Sequence, residues 1–151
     1  MAAKDDFTAE EWELLLEAPP SAAMIVVMAD RGGLVRESFS LAKVYTEARK
    51  EPGQSQLIDE IVEAKPDLDH ARHGSEEELR TAALTRLRDA LALLERKASP
   101  EDVEQYRMFC WNVAEHVANA SKEGFLGLTG ERVSAEESSA LADVKQALGL
   151  S

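Results

Sequence analysis

From Ser99 to Lys122 the chain must form one long helix with a single buried side. Ser99-Pro100-Glu101-Asp102 joins a capping serine to a proline at the first helical position and acids in the first turn, where the helix dipole favours them. Val103, Tyr106, Cys110, Val113, Val117 and Ala120 then recur at spacings of three and four, with Phe109 and Ala114 widening the stripe. An amphipathic helix of this length must bury that stripe against something, so the other segments are read as what it packs against.

Those segments are helical too. Thr8 caps a first helix, with Glu11 as its reciprocal capping-box partner and Phe7 and Trp12 at staple spacing. Trp12, Leu15 and Leu16 share a face, and Pro19-Pro20 is expected to end this helix. Ser21 is expected to cap a second helix over 22–29, apolar on nearly every side and therefore central. That run also has the length of a buried strand, but no second strand stands ready to pair with it. After the break at Asp30-Arg31-Gly32-Gly33, a third helix carries Leu34, Phe39, Leu41, Ala42 and Tyr45 up to Glu51-Pro52-Gly53.

Ser55 opens a fourth helix striped by Leu57, Ile58, Ile61 and Val62, ending at Pro66. A polar connector covers 65–74. Ser75 and Glu78 form the next capping box, ahead of Leu79, Ala83, Leu87, Ala90, Leu91 and Leu94. The last helix starts at Ser134 with Glu137 reciprocal, and Gly149 stands where a left-handed C-terminal cap belongs. The expected fold is all-α: one domain over 1–151, a bundle of about seven helices with the connector inside it.

Composition narrows the function classes. The 29 acidic and 17 basic residues give a net charge of -12, spread along the chain, which disfavours nucleic acid and anionic lipid. A basic partner or a cation is the natural complement. The one cysteine, Cys110, excludes an intrachain disulfide framework. The longest apolar run, 22–29, is far short of the roughly 20 residues of a membrane span, and no secretory signal is visible, so a cytoplasmic location is expected.

Candidate chemistry is sparse. Asp67, Asp69, His70 and His73 place four metal-ligating side chains within seven residues, but in no established spacing. His116 has no recognisable nucleophile partner, and Cys110 reads as a small core residue. The loop Gly124 to Gly130 lacks the Lys-Ser/Thr of a phosphate-binding loop. Its Phe125, Leu126 and Leu128 either fold back on the helices or form a partner or self-association surface.

Two junctions read alike. Ala29-Asp30-Arg31-Gly32-Gly33-Leu34-Val35-Arg36-Glu37 and Gly130-Glu131-Arg132-Val133-Ser134-Ala135-Glu136 both run from a glycine-bearing break through an apolar residue to a glutamate that opens a helix. A helical duplication and the general grammar of helix junctions both explain this. At these residues the chain resembles the TerB-like group of tellurite-resistance and DnaJ-membrane-associated modules, with its signature Ala-Asp-Gly-x-apolar-x-x-x-Glu. Ala142-Asp143 and Ala147-Leu148-Gly149 add to the likeness, whereas Arg31 intrudes before the glycines and 55–97 carries no motif of the group. The resemblance implies a helical bundle proposed to sense stress or bind metal, with Asp30, Glu37 and Glu136 as the acids that would hold a divalent cation.

The reading that results is a non-enzymatic module acting through a protein partner or a homo-oligomer, with no cofactor required. The alternative is a divalent-cation-binding module. A carboxylate enzyme would need Glu-x-x-His pairs on facing helices, and the chain contains none.

Overall fold

The computed structural model describes residues 3–29, 34–50, 55–64, 76–124 and 135–150. Among them are a short 3-10 turn, Lys4–Asp6, and six α-helices with no strand: α1 (Ala9–Ala29), α2 (Leu34–Lys50), α3 (Gln56–Glu63), α4 (Glu76–Lys97), α5 (Pro100–Gly124) and α6 (Ala135–Ala147). The fold is all-α, as the periodicity requires.

Local capping sets several of the helix ends. The Glu11 amide donates to Thr8 Oγ1 at 3.1 Å while the Thr8 amide donates to Glu11 Oε1 at 2.8 Å, closing the capping box. Phe7 and Trp12, both buried, pack with ring centroids 6.1 Å apart as the staple. Ser55 Oγ accepts from the Ile58 amide at 3.3 Å, and Ser99 Oγ from the Asp102 amide at 3.2 Å. At the other end of the chain Gly149 takes φ +71°, where a side chain would be strained. The Leu150 and Gly149 amides there return to the Lys145 and Gln146 carbonyls at 2.9 and 3.1 Å, completing a Schellman stop. Ser75 and Ser134 lie outside the described residues.

The expected break at Pro19-Pro20 does not occur. Both prolines are buried inside α1, which runs unbroken through the two segments expected to be separate helices. That merger reduces the expected seven helices to six. A proline lacks the N–H that would bond the carbonyl four residues back, so Pro19 leaves Leu15 O without its helical partner. Tyr106 of α5, fully buried, donates its hydroxyl to that oxygen at 2.8 Å. Ser21 is no N-cap; its Oγ donates back to Glu17 O at 2.9 Å and accepts from Arg86 of α4 at 3.4 Å. Side chains from two neighbouring helices therefore hold α1 across its proline pair.

The second half of α1 is the centre of the molecule. Ala22, Ala23, Met24, Ile25 and Val26 are buried at five consecutive positions, so no face of the helix meets water there. Helices α4, α5, α6 and α2 all pack against α1, and one buried core includes residues from all six helices. Polar contacts tie the periphery: Arg80 pairs with Asp143 between α4 and α6, and Lys97 Nζ reaches Glu11 Oε1 at 2.5 Å between α4 and α1. No helix among the described residues is long and apolar enough to cross a membrane.

Candidate functional site

The surface feature that stands out is a groove of about 690 Å3 between α2, α3 and α5. Each of its walls has a local cause. The core stripe of α5, Val103, Tyr106, Cys110, Val113 and Val117, turns inward and is buried, which aims the next face of the helix at α2 and α3. That face brings Glu104, Gln105, Met108, Phe109, Asn112 and His116 into the groove. Helix α2 contributes Val44, Glu47, Ala48 and Lys50, and the α3 side contributes Ser55, Ile58 and Asp59.

Helix α3 is short, and its position depends on side chains from elsewhere. Leu57, Ile61 and Val62 bury its inner face. Arg49 of α2 donates from Nε to Val62 O at 2.5 Å and from Nη2 to Ala64 O at 3.5 Å. A cation on the last carbonyls satisfies acceptors that no helical amide reaches and complements the negative end of the dipole. At the opposite end, Gln56 Nε2 holds Glu60 Oε1 at 3.0 Å, and Glu60 Oε2 accepts from the Lys4 amide at 2.7 Å.

The floor is apolar and its lip is acidic. Val44 and Phe109 are buried, Ile58 and Ala48 are half-buried, and Met108, 40% exposed, is the exposed large hydrophobic among the described residues. Among the described residues, three carboxylates, Glu47, Asp59 and Glu104, and the ammonium of Lys50 stand around them. Glu104 Oε2 holds Arg107 Nη1 at 2.6 Å. Behind the floor the Tyr45 ring meets Phe109 edge-on, with centroids 5.4 Å apart and planes at 63°. Burial pushes the Tyr45 phenol well above its ordinary range, and its hydroxyl has no hydrogen-bond partner among the described residues.

Cys110 and His116 do not form a catalytic pair. They are six residues apart, about 240° around the helix. Cys110 is fully buried in the core while His116 is exposed at the groove. Burial drives the thiol well above the range in which a thiolate forms, and the Tyr106 hydroxyl offsets this only in part.

The acids singled out from the sequence are not among the described side chains. Asp30 lies outside the described residues; Glu37 and Glu136 belong to α2 and α6, with side chains outside the described set. Phe125, Leu126 and Leu128 lie outside it too, as do Asp67, Asp69, His70 and His73. No group of three or more His, Cys, Asp or Glu among the described residues is arranged to hold a metal ion.

Sequence reasoning missed the groove, although one signal for it was present. Met108 and Trp111 are large apolar residues that stand off the core stripe of their helix. Trp111 is half-buried beneath the Lys145 ammonium, 5.8 Å from the ring centroid, and Met108 opens on the groove. No protein-family model, no curated protein and no solved structure matches the chain.

Proposed function

We propose that this chain is a non-enzymatic helical module that works by associating with a protein partner, and that the groove between α2, α3 and α5 receives a basic, apolar segment of that partner. The observation that carries this reading is the exposed Met108 beside Phe109 and Ile58, with Glu47, Asp59 and Glu104 around them. An unbranched, polarisable methionine adapts to varied apolar surfaces, and such residues recur where proteins bind one another. A net charge of -12 steers a basic partner toward the chain before contact is made. The TerB-like resemblance would place such an association in a stress response.

The test is a titration of the full chain with a synthetic Leu/Lys peptide at physiological salt, observing the Met108 methyl resonance and Trp111 fluorescence. A saturable shift of the Met108 methyl with micromolar affinity is the expected result. Binding that leaves the Met108 methyl unmoved, or no binding at all, overturns the reading.

A further inference from the structure

Resting on that reading, we infer that the occupant of the groove is a single amphipathic helix of about three turns, apolar along one face and lysine- or arginine-rich on both flanks. Glu104, Met108, Asn112 and His116 repeat every four residues along α5 and all border the groove. Such a row is the i±4 ridge that helices use to pack on one another. The twelve steps of 1.5 Å rise from Glu104 to His116 make this ridge roughly 18 Å long, about the length of a three-turn helix.

The partner's backbone conformation follows from what the groove offers. An extended peptide gains affinity by adding main-chain hydrogen bonds to an open sheet edge. The described residues contain no strand, and the groove is walled by helices whose main-chain bonds are made internally. A helix brings its own backbone bonds already satisfied and needs only an apolar seat, which Val44, Ile58, Met108 and Phe109 supply.

The lip sets the charge. Glu47 stands on the α2 wall, Asp59 on α3 and Glu104 on α5, so among the described residues carboxylates come from all three sides, with Lys50 and the Arg107 guanidinium that pairs with Glu104 as the cations beside them. A second copy of this chain would bring the same acidic lip and another -12 into contact, whereas cationic flanks meet complementary charge.

Three 14-residue peptides test this against the full chain at 0.15 M salt. The first is a Leu/Lys helix with one apolar face, the second the same peptide with two central prolines, and the third has glutamate for every lysine. The expected result is that the first binds at least tenfold tighter than the other two. Met108→Lys should weaken it at least tenfold, and Glu95→Gln, the same charge change on exposed α4 surface away from the groove, should leave it unaltered. Equal binding of the proline peptide overturns the helical occupant while leaving the association reading intact. Preference for the glutamate peptide, or failure of all three to bind at Met108, overturns both. A dimer in sedimentation equilibrium that Met108→Lys dissociates would place a second copy in the groove and also overturn the inference.

Discussion

Tyr106 hydrogen-bonds through its hydroxyl to the Leu15 carbonyl, 91 positions earlier in the chain, at the oxygen that Pro19 leaves without a helical donor. The phenol replaces a missing backbone amide inside the core. Tyr106→Phe keeps the ring and strands a buried acceptor, which costs about 1–3 kcal/mol. Pro19→Ala restores an amide donor for Leu15 O. Urea unfolding of both single variants and the double variant should therefore give a cycle in which Tyr106→Phe costs less when combined with Pro19→Ala than alone.

Arg49 secures α3 by its last carbonyls, Val62 O and Ala64 O. Arg49→Met removes both donors. Because the arginine is largely exposed, a loss of about 1 kcal/mol is expected, well below that of a buried pair. Native-state hydrogen exchange should show α3 amides opening roughly fivefold more often, with α1 amides unaffected. Since α3 carries Ile58 and Asp59, peptide binding should weaken in parallel.

The Glu11 carboxylate is held below its ordinary range, first by the Lys97 side chain and then by the Thr8 amide. A carboxylate with a depressed folded-state pKa stabilises the protein above its unfolded-state value, and that stability is lost as pH falls through the folded-state value. Glu11→Gln should thus be less stable than the parent at pH 7. In denaturant titrations stepped down through the carboxylate range, the difference should shrink toward zero.

Cys110 should behave as a reporter of unfolding. Its thiol is fully buried and its pKa is raised by that burial, so thiol reagents at pH 8 should react at the rate of core opening and not at that of a free cysteine. Addition of urea should expose one reactive equivalent per chain.

How legible these features were depended on how far apart their parts lie. The bonds between Thr8 and Glu11, from Ser55 to Ile58 and from Ser99 to Asp102, and the turn at Gly149, each complete themselves within a few residues. Short spacings therefore announced them. The continuation of α1 through Pro19-Pro20 is not legible locally, because proline's local effect is to stop a helix and the group that offsets it, Tyr106, sits on another element. The groove, whose one signal is the place of Met108 and Trp111 off the core stripe, is hard to read for a related reason. Val44, Ile58 and Met108 come from three helices, and each looks like an ordinary member or neighbour of a stripe until α3 is placed by Arg49. The candidate acids Asp30, Glu37 and Glu136 came from likeness between two junctions, and the described side chains do not include them.

The proline pair in α1 also bears on how the chain reaches its native state. Most helices in a bundle can flicker into existence on their own, which keeps contacts local and folding fast. The middle of α1 is denied that route, since its hydrogen-bond ladder is interrupted until Tyr106 arrives from α5. The central helix and α5 must therefore consolidate together, and a fragment ending at Lys50 should show little α1 helicity by circular dichroism. Folding of this bundle should be slower and more nearly all-or-none than its helical content would imply.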